Sequence, residues 1–302
     1  MNMVRIAAVA LGLVISFGSA HAKALDAAAI GAAAGAKPTV APDGVVKLSW
    51  PRDDVAVTID GVAMKPFAGL GSWAAFTPDA QGVAMMMGDT VVFQDEVNPA
   101  IDAAFAAGLE VTALHNHFFY DDPKVFFMHI GGHGAPATLA SSVKAVWDAI
   151  KAVRKASPAP AHGFGGPAVK PGSITPGPLE QVFGSKPDVK DGLVKFTIGR
   201  SGSMHGVKVG GSMGLTTWAA FTGADDGAAV DGDFIMSAAE ITPVLKALRG
   251  AKINIVALHN HMTGETPAVF FTHFWGKGSA IDLAKAVRAA LDAQAGAGKK
   301  LK

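Results

Sequence analysis

The sequence predicts an α+β protein made by tandem duplication of one domain, with a mixed or antiparallel sheet and a pseudo-two-fold relation between the halves. Three observations predict it. His-Asn-His occurs twice, at His115-Asn116-His117 and His259-Asn260-His261, and each time a third histidine, His129 or His273, follows fourteen residues after the first. The likeness between the halves runs well beyond the histidines. Gly61 to Trp73 aligns without gaps with Gly206 to Trp218, and both continue as Ala-Ala-Phe-Thr. Gly88-Asp89 then matches Gly232-Asp233, Glu96 and Pro99 match Glu240 and Pro243, and Phe126-Phe127 match Phe270-Phe271. Third, short alternating apolar runs are interleaved with helical stretches bounded by proline and glycine. A period of about 145 residues is domain-sized, so one fold is used twice.

The elements follow in order. Residues 1–22 read as a secretory signal peptide: Arg5, an apolar stretch, then Ala20-His21-Ala22 as the small-x-small cleavage site. The stretch is short for a membrane span, so no stable anchor is expected after cleavage. The first repeat covers residues 23–155. VKLSWPR (46–52) pairs with VKFTIGR (194–200), Val55–Ile59 alternates as a strand, and Trp73–Thr77 and Val83–Met87 are short apolar runs. A helix is expected from Asn98-Pro99, with proline in its first turn and Gly108 at its stop; Thr242-Pro243 and Gly250 mark its copy. The β-branched runs Glu110–Leu114 and Ile253–Leu258 feed into His-Asn-His, and strands at Val125–His129 and Val269–His273 complete a hairpin. Helices at Leu139–Lys155 and Ile281–Ala293 close the repeats. Residues 156–178, with six prolines, read as a linker, and 179–302 as the second repeat.

Composition narrows the function. With no cysteine there are neither disulfides nor thiolate metal ligands. Cleavage after Ala22 removes only Arg5 from a balance of 26 basic and 25 acidic residues, leaving zero formal charge. Such a chain has no global attraction for nucleic acid or anionic membranes, and no basic cluster supplies a local one. The expected location is the periplasm or the extracellular space, and the expected partner is a small-molecule ligand.

Six of the ten histidines lie in the two constellations. Side chains alternate along a strand, so His115 and His117 point the same way, roughly 7 Å apart along the backbone, and the hairpin returns His129 to them. His259, His261 and His273 repeat the arrangement. Three neutral imidazoles suit a divalent transition metal, zinc first, and also copper, iron or nickel. Glu96 and Glu240 sit at equivalent helix starts and are candidates for a fourth ligand, a partner to a ligand or a catalytic general base. The methionine run Met85–Met87 is not repeated and reads as core, as do Trp73 and Trp218. His133 has Lys277 as its counterpart, which argues against a shared ligand.

GLGSWAAF (69–76), MGD (87–89), DEVNP (95–99), VTALHNH (111–117), FFMH (126–129) and FFTHFWGKG (270–278) resemble signatures of the LppY/LpqO family, exported bacterial proteins built from a domain of unknown function, DUF1259. The resemblance covers nearly all of the chain after residue 22 and implies the duplicated domain without implying an activity. The lipid-accepting cysteine of the family's lipoproteins has no counterpart here. HNHFFYDDPKVFFMH (115–129) is also similar to the zinc-binding stretch of acetolactate decarboxylases, which would make His115, His117 and His129 ligands. Three readings stay open: a metal-binding protein without assigned chemistry, a metal-dependent lyase or hydrolase on a small hydroxy or keto acid, and a structural protein without metal.

Overall fold

The computed structural model describes residues 24–299, so the signal-peptide segment lies outside the described residues. Helix α1 (Ala27–Ala34) opens the first unit, capped by the Asp26 carboxylate accepting from the Ala29 N–H and closed by Gly35 in the left-handed region. Then come β1 (Thr39–Val40), β2 (Val46–Pro51), β3 (Thr58–Ile59), β4 (Val62–Ala63), β5 (Gly71–Pro78), β6 (Ala84–Phe93), α2 (Val97–Ala106), β7 (Glu110–His115), β8 (Asp121–Asp122), β9 (Val125–Gly134) and α3 (Pro136–Ala156). The second unit repeats the order as α4 (Pro176–Phe183), β10 (Asp188–Lys190), β11 (Leu193–Gly199), β12 (Gly202–Met204), β13 (Val207–Val209), β14 (Thr216–Ala224), β15 (Gly227–Ser237), α5 (Ala238–Gly250), β16 (Asn254–His259), β17 (Glu265–Thr266), β18 (Val269–Gly278) and α6 (Ala280–Lys299).

The fold is α+β, and the duplication is visible in its topology. Twelve strands form one sheet in the order β1-β2-β5-β6-β9-β7-β16-β18-β15-β14-β11-β10, which reads as one half followed by its mirror order. The halves meet where β7 and β16 pair antiparallel through Leu114 and Leu258. Within a unit, β6 crosses to β7 through α2, and β9 inserts between them, antiparallel to both. That insertion places Phe127 to Gly131 of β9 between two neighbours. His129 faces Asp89 on one side and Ala113 on the other.

Side-chain alternation divides the sheet into two faces. Even-numbered positions of β5 and β6 (Ala74, Phe76, Met86, Val92) join Met128 and Ile130 of β9 and the buried faces of α2 and α3 in one core, which continues into the second unit. The odd-numbered face is covered only at one end. There the small sheet β4-β3-β8 encloses Val57, Leu70, Val91, Phe93, Val125 and Phe127, and β13-β12-β17 does the same in the second unit. The rest of this face is open.

Several boundaries differ from the sequence expectations, each for a local reason. The strand expected over Val55–Ile59 is paired only at Thr58–Ile59. The strand expected to end at Met87 continues to Phe93, and the one expected to end at His129 continues to Gly134, because the two pair over their full lengths. His129 therefore lies in mid-strand, away from the hairpin end. Helix α5 begins at Ala238, a turn before Thr242-Pro243, because Ser237 and Glu240 form a capping box there. Helix α4 opens at Pro176, inside the segment read as linker, since proline is tolerated in a first helical turn. Met85 and Met87 are 46% and 61% exposed; only Met86 is core. Trp73 and Trp218 are half-buried on the open face, each under a lysine, Lys47 or Lys195. No helix among the described residues is long and apolar enough to cross a membrane.

Candidate metal centre

Each unit gathers its three histidines beside the covered end of the odd-numbered face. A bulge between Val111 and Ala113, matched between Ile255 and Ala257, shifts the strand phase just ahead of His-Asn-His. Val111 and Leu114 both point to the core as a result, and His115 takes the open face opposite Phe127. Asn116 turns the chain by donating from Nδ2 to the Phe118 carbonyl at 2.8 Å, and Asn260 does the same to Met262 at 2.9 Å. The turn lays His117 flat on Phe127, ring centroids 3.3 Å apart, and His261 on Phe271 at 3.4 Å. Both phenyl rings are fully buried, so each imidazole rests on a fixed floor.

The rings converge. His115 lies 5.1 Å from His117 and 5.0 Å from His129 between centroids; His259 lies 5.1 Å from both His261 and His273. The sequence reading missed the acid that completes each cluster. Asp89 faces His129 across the sheet, with Oδ1 3.8 Å from His129 Nε2, and Asp233 Oδ2 lies 3.2 Å from His261 Nε2. Ligating atoms of Asp233, His259 and His261 all fall within 4.8 Å of one another. The signal for these acids was present in the sequence, since Gly-Asp recurs at a fixed distance before each His-Asn-His.

The donor set fits a cation. Asp89 Oδ1, Asp233 Oδ1 and His259 Nε2 are buried without a hydrogen-bond partner. A buried carboxylate oxygen is costly to leave unpaired, and the same oxygen is unpaired in both copies. Backbone carbonyls meanwhile engage Nδ1 of several rings: Asn116 for His115 at 3.3 Å, Asn260 for His259 at 3.4 Å and Gly232 for His273 at 3.2 Å. A carbonyl at Nδ1 fixes the tautomer that leaves Nε2 as a lone-pair donor, the usual orientation of a metal-binding histidine. Burial pushes His117 and His261 below the ordinary imidazole range, against the pull of Asp89 and Asp233. Burial also raises Asp233, against three neighbouring histidines. Both shifts have one cause: burial favours the uncharged forms, neutral imidazoles beside an acid drawn toward its protonated form.

The two glutamates stand elsewhere. Glu96 is fully buried, with Arg52 donating to both carboxylate oxygens at 2.8 and 2.9 Å, Arg154 close by and the Phe93 N–H on Oε2. Glu240 accepts from Arg200, the Ser237 N–H and Gln294. No histidine is among the partners of either. A GxSxG string, Gly210 to Gly214, falls on a 3-10 turn ahead of β14 and not on a strand-to-helix elbow.

Fold and site together define a duplicated α+β protein with a three-histidine, one-aspartate cluster in each half. The chain belongs to the family described as Domain of Unknown Function (DUF1259), whose family model matches residues 28–149 and 177–293, once per unit. No curated protein matches the chain. Among solved structures, the trimeric bacterial microcompartment shell protein PduB overlaps at 10% identity and a TM-score of 0.21, covering 87% of this chain and 92% of that one. EtuB from Clostridium kluyveri overlaps at 12% identity, with the same coverages and TM-score. Overlap this low supports no inference about fold or function.

Proposed function

We propose that this protein is exported and binds a divalent transition metal, zinc first, through His259, His261, His273 and Asp233 in the second unit and through His115, His117, His129 and Asp89 in the first. The observation that carries the reading is the pair of buried, unpartnered atoms Asp233 Oδ1 and His259 Nε2 within a cluster of one-ion dimensions. Three imidazoles and one carboxylate suit zinc and its first-row neighbours. Export rests on the signal-like residues 1–22. The absence of any basic cluster argues against a nucleic-acid partner.

The test is elemental analysis of the protein after dialysis against zinc. The intact chain should carry about one equivalent per cluster, and His259→Ala/His261→Ala or His115→Ala/His117→Ala should each remove one. An intact protein holding less than about 0.1 equivalent of any transition metal would overturn the reading.

A second reading, a metal-dependent lyase or hydrolase on a small hydroxy or keto acid, has one observation in its favour. A groove of about 500 Å³ on the open face reaches His129 in the first unit, with Trp73 and Thr112 along it, a volume in the range of small-molecule sites. Bound metal would supply Lewis acidity there. A small hydroxy acid should then bind the zinc-loaded protein but not the His115→Ala/His117→Ala variant; equal binding to both sinks this reading.

A further inference from the structure

The methionine run that reads as core in the sequence turns two of its three side chains outward. Met85 and Met87 stand on the open face of β6, 46% and 61% exposed, while Met86 between them is fully buried. Across the sheet from Met85 lies His133 of β9. All three side chains line the groove that reaches His129, and Met85 is four residues along the strand from Asp89, roughly 13 Å by strand rise. Met87, two residues from Asp89 on the same face, is the member nearest the histidine cluster, and none of the three side chains belongs to that cluster.

His133 is also held in a particular orientation. Its Nε2 lies 2.7 Å from Asp79 Oδ2, and Asp79 Oδ1 is itself fixed by the N–H groups of Gln81 and Val83 at 2.9 and 3.0 Å. With Nε2–H donating to the carboxylate, Nδ1 is left as the donor atom, the carboxylate–histidine arrangement that orients metal ligands. A directly opposed cross-strand pair has its Cβ atoms roughly 5 Å apart, within reach of a flexible thioether. Two thioethers and one imidazole form a soft donor set, matched to a monovalent thiophilic cation and poorly matched to zinc or calcium. The second unit provides a built-in contrast. Ala229, Asp231 and Lys277 occupy the corresponding positions, and Ala229 faces Lys277 in the same register. A lysine there would repel a cation.

We propose that Met85, Met87 and His133 form a second, soft-metal site, present in the first unit alone, that takes Cu(I) or its redox-inert analogue Ag(I). Loss of water around two exposed thioethers costs little, so the site needs no pocket deeper than the groove that holds it. The donors are neutral and the bound ion carries a single charge, which Asp79 partly balances through His133.

Silver titration of the full-length zinc-treated protein tests this, followed by the ¹³C-methyl signals of methionine. The Met85 and Met87 signals, assigned by single leucine variants, should move together up to one added equivalent, while those of the buried Met86 and Met128 stay in place. Met85→Leu/Met87→Leu should weaken silver binding at least about tenfold, and His133→Ala should weaken it too. Leucine preserves the volume of methionine, so the variant should keep its fold, which its zinc content and circular dichroism report independently. Undiminished silver affinity in the double variant would overturn the proposal, as would silver-induced shifts confined to methionines other than Met85 and Met87. Zinc content reads the histidine clusters separately, so failure of one site is distinguishable from failure of the other.

Discussion

Each half carries two buried acids a few residues apart, and their partners assign them opposite roles. Glu96 and Glu240 face arginines; Asp89 and Asp233 face histidines. A carboxylate bonded by a guanidinium and a backbone N–H is stabilising, and removing its charge leaves the arginine uncompensated. Burial tends to raise the pKa of Glu240, but the hydrogen bonds from Arg200 and the Ser237 N–H outweigh it and hold the group below the ordinary glutamate range. A depressed carboxyl contributes stability that is fully present above its unfolded value and is lost as pH falls through the folded one. Glu240→Gln should therefore lower stability at neutral pH by roughly 1–3 kcal/mol. It should also flatten the fall in melting temperature below about pH 4.3, the unfolded glutamate value. Zinc content should be unchanged. A variant that lost its metal and kept its stability would return Glu240 to the site and remove it from the frame.

At the scale of elements, strand register decides what the site contains, and glycine decides how closely the strands approach. A Cβ built on Gly232 would meet the Trp218 carbonyl oxygen at 2.3 Å and Phe274 Cζ at 2.4 Å, and one on Gly88 would meet the Trp73 oxygen at 2.8 Å. The glycine thus permits the approach that sets Asp233, the next residue, opposite His273. Gly232→Ala should cost about 1–3 kcal/mol through overpacking and weaken zinc binding by displacing Asp233, read by chemical unfolding and zinc titration. Wild-type stability and affinity would show the contact to be slack. The hairpin and its duplicated histidines were legible in the sequence because period, spacing and repetition coincide there. Asp89 and Asp233 were visible as recurring landmarks but not as ligands, since β9 enters between β6 and β7, and only that insertion brings β6 alongside the histidines. The outward methionines were hidden for a related reason. Alternation gives two faces, but not which one remains uncovered, and small sheets cover this face only at one end. The helix-start glutamates drew attention as acids near a candidate site, whereas their arginine partners lie about forty residues away or more, outside any local pattern.

For the whole molecule, the question is what makes two repeats a single sheet, given that β7 and β16 contribute only one ladder pair. The helical side of the sheet supplies much of the answer, since the apolar core runs without a break from one unit into the other. Asn98 of α2 adds a specific polar tie. Its side-chain oxygen accepts from the Ile255 N–H at 2.8 Å and its amide donates to the Ile255 carbonyl at 3.3 Å, both buried. Ile255 pairs with Phe274 of β18 but lies beyond the single pair that β16 makes with β7, so the asparagine from the other unit stands in for a strand neighbour on that side. Thr242 occupies the equivalent place in α5, so the two-fold relation is broken at this bond. The Arg249–Asp102 pair also joins the units, but Asp102 is half exposed and such a pair contributes at most about 1 kcal/mol. Asn98→Ala should therefore cost about 2 kcal/mol by leaving a buried N–H and a carbonyl unpaired, several times the effect of Asp102→Ala. Urea unfolding followed by tryptophan fluorescence can compare the two, because Trp50, Trp73 and Trp147 report on one unit and Trp218 and Trp275 on the other. A continuous core predicts that all five unfold in one transition, displaced to lower urea in Asn98→Ala. Two transitions in the wild type, or an Asn98→Ala midpoint within about 0.5 kcal/mol of wild type, would mean that each unit stands alone and that the shared sheet contributes little to stability.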